Sequence, residues 1–142
     1  MTRSVPFTGG CACGAIRYEC TEEPIVALNC HCRDCQRMSG GASSSLLGIT
    51  TPSFRFTQGR PKYHKIAADS GHGKHQGFCP QCGAPVCIKI DEMSDLMVLT
   101  AGSLDDPSDH QPQLDLWTSR AQPWDVMNAE LPKFEKGPPE AE

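Results

Sequence analysis

No stretch of the 142 residues approaches the run of about 18 apolar residues that a membrane span requires. The opening Met1-Thr2-Arg3-Ser4-Val5-Pro6 carries one basic residue with no apolar segment behind it, so no export signal is expected. Internal repeats and long amphipathic helices are also missing. There is no basic run either: 13 Lys and Arg are scattered among 17 Asp and Glu, for a formal charge of −4. Non-specific nucleic-acid binding depends on cationic contacts to phosphate, which this chain is poorly equipped to make. Together these absences predict a cytoplasmic protein with neither nucleic acid nor membrane as partner.

Glycine (13), proline (12) and cysteine (9) are plentiful instead. The first two favour short strands joined by tight turns, and the length suits one domain with a modest core. Alternation predicts strands over 15–20 (Ile16, Tyr18 and Cys20 against Arg17 and Glu19), 54–56 and 86–90; further short strands are expected over 25–28, 43–49 and 63–67, and the apolar run 96–100 reads as a central strand. Leu114, Leu116 and Trp117 suggest a late short strand. Residues 8–14 read as a turn-forming stretch, and 70–76 as a Gly/His loop. Residues 30–35 lead into a polar or single helical turn ending near Ser39-Gly40-Gly41. The expected organisation is a flexible lead (1–8), one predominantly β domain (9–135) and a disordered Pro/Glu tail (136–142).

Nine cysteines without an export signal are read first as metal or redox residues, because a reducing cytosol keeps exposed disulfides open. Seven of them fall into three groups: Cys11-Ala-Cys13-Gly14, Cys30-His-Cys32-Arg-Asp-Cys35 and Cys79-Pro-Gln-Cys82-Gly83. In a CxxC knuckle the turn aims two sulfurs at one point. The glycine that follows lets backbone N–H groups approach and stabilise thiolate charge. Structural zinc is usually closed by four such ligands, whereas catalytic zinc keeps three protein ligands and an open position. The glycine-followed pairs Cys11/Cys13 and Cys79/Cys82 can therefore close one site, leaving Cys30, Cys32 and Cys35 for a second. Spacing alone leaves exchanged partners open. Two Zn2+ per chain on seven thiolates would take the net charge to about −7. A thioredoxin-type redox CxxC would need a βαβ context that is missing.

Cys20 and Cys87 lie inside strand patterns without metal-type neighbours and are assigned to packing. His31 sits between two candidate ligands, where an extended backbone turns it away from the metal, so it is read as a supporting residue. His72 and His75 read as a solvated loop. Arg33, Asp34 and Arg37 flank the three-cysteine group. They form either a solvated turn offsetting thiolate charge or a grip for an anionic substrate.

With these motifs in place, the chain resembles the glutathione-dependent formaldehyde-activating enzyme family, also called centromere-protein-V-like. The text that carries the resemblance is GGCACGAIRYEC, NCHCRDCQRMSG, GFCPQCGAPV, LTAGSLDDP, the W…R…PW of Trp117, Arg120, Pro123 and Trp124, and LPKFEKG. It extends over about residues 8–137. The resemblance implies a mainly β, Mss4-like fold of small antiparallel sheets organised around zinc. It also implies a structural zinc on Cys11, Cys13, Cys79 and Cys82, and a second, activity-associated zinc on Cys30, Cys32 and Cys35. The implied activity is condensation of formaldehyde with glutathione to S-hydroxymethylglutathione, a carbon–sulfur lyase reaction in reverse, with a small thiol such as glutathione as partner. The alternative is a non-catalytic zinc module for partner interaction or metal handling.

Overall fold

The computed structural model describes residues 3–68 and 71–138. Residues 1–2 of the expected lead, 139–142 of the expected tail, and 69–70, which include the first residue of the expected loop, lie outside the described residues. Within them, Arg3 donates its backbone N–H to Glu23, and Lys136 accepts from the backbone N–H of Trp117.

Among the described residues, ten strands, one α-helix and three short 3-10 turns make up the fold. A three-stranded antiparallel sheet has the order β1 (Phe7–Gly10), β2 (Arg17–Cys20), β5 (Phe54–Gln58). The larger sheet has seven strands in the order β10 (Leu114–Leu116), β3 (Val26–Cys30), β4 (Ser44–Thr50), β9 (Leu96–Thr100), β8 (Pro85–Ile90), β7 (Gly73–Phe78), β6 (Lys62–Ala67). Every pairing is antiparallel except β10 with β3, which is parallel and brings Asp115 opposite Asn29. The protein is mainly β, as expected, but the larger sheet is mixed.

Alternation in the central strands divides the large sheet into two apolar faces. Leu47, Ile49, Met97 and Leu99 point to one side and pack with Ile16, Tyr18 and Cys20 of the small sheet. Leu46 and Ile88 point to the other, with Val98 alongside, and meet Cys30, Cys32 and Cys35. Full burial of a side chain such as Leu47 or Ile49 contributes about 1.5–3 kcal/mol. The first face therefore anchors the fold. The second carries the candidate chemistry.

Two strands fall where turns or loops are expected. The Thr8-Gly9-Gly10 stretch pairs as β1, with Gly9 opposite Tyr18. A Cβ on Gly9 would stand 2.3 Å from the Tyr18 hydroxyl, so glycine permits this close pairing. β7 extends through the expected Gly/His loop, held by β6 on one side and β8 on the other. Its residues are nearly all polar or glycine, which leaves no apolar alternation to read.

The helix, α1 (Arg33–Ser39), begins immediately after Cys32, whose extended backbone (φ −64°, ψ 157°) and sulfur accepting from the Cys35 N–H make it the N-cap. Gly40 closes it in the left-handed region (φ 74°), donating its N–H to the Gln36 carbonyl.

Candidate metal centres

The first cysteine group lies where the two sheets meet. Cys11 follows directly on β1 and Cys79 directly on β7, so the hairpin turns beyond them bring Cys13 and Cys82 to the same point. The four sulfurs all lie within 4.8 Å of one another. Cys11 to Cys13 and Cys13 to Cys79 each measure 3.7 Å. The edge of a tetrahedron whose vertices stand 2.3 Å from a central ion is about 3.8 Å, so these spacings fit a tetrahedral all-sulfur site.

Both knuckles depend on a left-handed glycine, Gly14 (φ 82°) and Gly83 (φ 76°). The Gly83 N–H donates to the Cys79 carbonyl at 2.8 Å. Backbone donors surround the sulfurs: Ile16 N–H reaches Cys11 Sγ at 3.2 Å and Gln81 N–H reaches Cys79 Sγ at 3.4 Å. The Cys82 thiol is held down to about 6, first by the backbone N–H groups of Ala84 and Cys13. Such a donor set stabilises thiolates before any ion arrives.

The second group lies on the other face of the large sheet. Cys30 ends β3, Cys32 caps α1 and Cys35 sits in its first turn. Their sulfurs also lie within 4.8 Å of one another, and all three residues are buried. Cys35 N–H donates to Cys32 Sγ at 3.3 Å. The Cys32 thiol is drawn down to about 2, chiefly by the Cys30 and Cys35 thiols hydrogen-bonding to it and then by the charge of Lys74. The same contacts, together with burial, push the Cys30 thiol up. Negative charge in the group is thus favoured at Cys32, and soft thiolate donors suit zinc. Both groups could hold a metal ion.

Lys74 carries no signal in the sequence, because the strand that positions it is written in polar residues. Its side chain is buried, and Nζ stands 3.8 Å from Cys32 Sγ and 3.7 Å from Cys35 Sγ. Burial opposes the ammonium charge, but Cys35, Cys32, Cys30 and Asp34 outweigh it and hold the amine above its ordinary value. Arg33 and Arg37, by contrast, lie on the exposed side of α1. The cation placed against the sulfurs is a lysine from the sheet.

His31 points away from both sulfur groups. Its Nδ1 meets Asp125 Oδ2 at 2.7 Å and its Nε2 meets Asp115 Oδ1 at 2.9 Å. The ring thus bridges two carboxylates from a distant part of the chain. Lys133 Nζ (2.9 Å) and Asn29 Nδ2 (3.3 Å) also donate to Asp115. Burial alone would push the Asp115 carboxyl up, but the bonds from His31, Lys133 and Asn29 hold it below the usual carboxylate range. This array, with the His31 N–H donating to the Leu116 carbonyl at 2.9 Å, fixes the backbone between Cys30 and Cys32.

The sequence profile of the glutathione-dependent formaldehyde-activating enzyme family matches residues 6–120. The chain belongs to this family. Both cysteine groups fall within the matched residues, as do Lys74, His31 and Asp115. The crystal structure of a Rhodobacter sphaeroides protein is similar over 89% of this chain and 98% of its own, with a TM-score of 0.57 and 17% identity. At that identity the likeness speaks for the fold alone. Comparison with curated proteins gives no match.

The remaining predicted residues lie elsewhere. Cys20 and Cys87 are buried in the core between the sheets. Burial pushes the Cys20 thiol up to about 12. His72 pairs with Glu92 (2.9 Å) and His75 with Asp91 (2.8 Å), both away from the sulfurs. A cleft of about 490 Å³ runs beside Cys11, Met38 and Ser43–Ser45, and none of Cys30, Cys32 or Cys35 lines it. Among the described residues, no helix is long and apolar enough to cross a membrane.

Proposed function

We propose that the chain is a zinc-dependent, carbon–sulfur lyase-type enzyme acting on the adduct of glutathione with formaldehyde or a related small aldehyde. In this reading Cys11, Cys13, Cys79 and Cys82 hold a structural zinc within an Mss4-like fold. Cys30, Cys32 and Cys35 hold a second zinc, making two per chain. Nine cysteines, all of them free, suit a thiol-reducing cytoplasm.

The observation that carries the reading is the difference between the two groups. One gathers four sulfurs; the other gathers three, with no fourth His, Cys, Asp or Glu among the described residues joining them. Three protein donors leave one coordination position for a substrate atom. When bound there, the ion would supply Lewis acidity, lowering the pKa of a thiol or polarising a carbonyl oxygen. Cys32 is the thiol whose charged form its neighbours favour, and α1 holds Cys35 at a fixed spacing from it. His31 and its carboxylates hold Cys30 and Cys32 in register. Three thiolates temper the acidity of a divalent ion, which favours handling a thiol over activating water.

The deciding variant is Cys32→Ala, assayed for zinc content and for S-hydroxymethylglutathione formed from glutathione and formaldehyde. The expected result is loss of one zinc and of turnover. Unchanged turnover rejects the assignment. A second reading, a non-catalytic zinc module, is favoured by how little of the cluster is exposed: 7%, 5% and 1% for Cys30, Cys32 and Cys35. Titration of the loaded protein with a small thiol separates the two, since a closed module ignores it.

A further inference from the structure

Lys74 is a charged side chain brought against two of the three sulfurs by an element outside their own segment. β7 carries it between Ile66 of β6 and Ile90 of β8, its cross-strand neighbours on either side. These side chains offer an ammonium group no acceptor. The sulfurs do: Nζ lies 3.7 Å from Cys35 Sγ and 3.8 Å from Cys32 Sγ, distances at which N–H donates to sulfur. The residue is only 8% exposed, so water does little to screen the charge. An isolated buried ammonium is costly, and the arrangement is favourable only if the sulfurs carry negative charge.

From this geometry we infer that Lys74 is the fixed counter-cation of the three-cysteine centre and selects an anionic sulfur as its fourth ligand. The inference rests on the zinc reading above and deepens it. Three thiolates around a divalent ion leave a net charge of −1, which repels an incoming thiolate. Lys74 brings the assembly to neutral, so a thiolate can join at a final charge of −1 rather than −2. Donation of N–H to two of the sulfurs also withdraws electron density from them, restoring part of the acidity that three thiolates remove. A neutral ligand gains much less from the lysine, because it brings no charge for the lysine to offset. Lys74 is a positioning and charge-setting residue, acting through Cys32 and Cys35.

The test uses the full chain loaded with cobalt(II), whose sulfur-to-metal absorption reports the electron density on the ligands. Wild type is compared with Lys74→Leu, Lys74→Gln and Lys74→Arg, using mercaptoethanol as the anionic-ligand probe and imidazole as the neutral one. Removing the charge is expected to move the absorption to lower energy and to weaken mercaptoethanol binding by about 10- to 100-fold, the usual effect of losing a metal site's supporting partner. Imidazole binding should stay within about twofold, and the four-cysteine site of the same molecule should keep its metal affinity. Lys74→Arg should restore both the band and the thiol affinity, while Lys74→Gln, an N–H donor without charge, should resemble Lys74→Leu in thiol affinity. If Lys74→Leu does not fold, the Gln and Arg variants carry the comparison. Two bound ions with band and thiol affinity unchanged in the charge-free variants would overturn the role of Lys74 alone. A wild-type chain that takes up a single ion would overturn the zinc reading as well.

Discussion

Replacing His31 with Leu exposes the array beneath the three-cysteine centre to a direct energetic test. The imidazole is 2% exposed and bridges two carboxylates whose side chains are 1% (Asp115) and 7% (Asp125) exposed. Leucine roughly fills the space but donates nothing, so both carboxylates lose a partner at once. Leaving a buried acceptor without its donor costs about 1–3 kcal/mol, and more where the acceptor is charged. Asp115 keeps Lys133 at 2.9 Å and Asn29 at 3.3 Å, so most of the penalty falls on Asp125. The expected loss is therefore about 3 kcal/mol, the upper end of that range. With a urea slope of about 1–3 kcal/mol per molar, the unfolding midpoint should fall by about 1–3 M. Unfolding followed by tryptophan fluorescence in zinc-supplemented buffer reads this directly. Adding Asp125→Asn should recover part of the loss, because the amide no longer carries a buried charge. A His31→Leu cost below about 1 kcal/mol, or strict additivity of the two changes, would show that the array does not hold this segment.

Three further outcomes follow from the same structure. Asp105 is held below its ordinary value, first by hydrogen bonding from Arg17 and then from Thr8, so its contribution is present above its unfolded pKa and lost as pH falls through the lower folded one. Asp105→Asn should accordingly cost at most about 1 kcal/mol at pH 7, the pair being partly exposed, and less as denaturation is repeated below about pH 4. Cys20 lies fully buried with its thiol pushed up to about 12, so alkylation of the folded protein should leave it unlabelled, and Cys20→Ala should leave metal content unchanged. Gly83→Ala adds a Cβ with nothing within 4 Å, at φ 76°; backbone strain alone should then cost about 1–2 kcal/mol and accelerate zinc loss to a chelator.

Much of the candidate chemistry was legible because metal knuckles are local. Cys79, Cys82 and Gly83 announce a turn and its ligands within five residues, and Cys30, Cys32 and Cys35 fall within six. Central strands such as Leu96–Thr100 were legible too, since a strand buried on both faces is written as a continuous apolar run. Strands without apolar side chains were not. Thr8-Gly9-Gly10 and Gly73–Phe78 pair through backbone geometry and close approach, which leave no period in the text. Lys74 was hidden for that reason. The partners of His31 were hidden for another: Asp115 and Asp125 lie 84 and 94 residues away, and a charge between two leucines of a short strand looks like any solvent-facing residue. Parallel pairing of β10 with β3, a contact made late in the chain, is what buries it.

Metal analysis of the purified chain, with zinc and total sulfur measured on the same sample, addresses the central claim most directly. The account predicts two zinc ions per chain and no disulfides. A folded chain holding no metal, or one cross-linked through the Cys11, Cys13, Cys79 and Cys82 sulfurs, would contradict it.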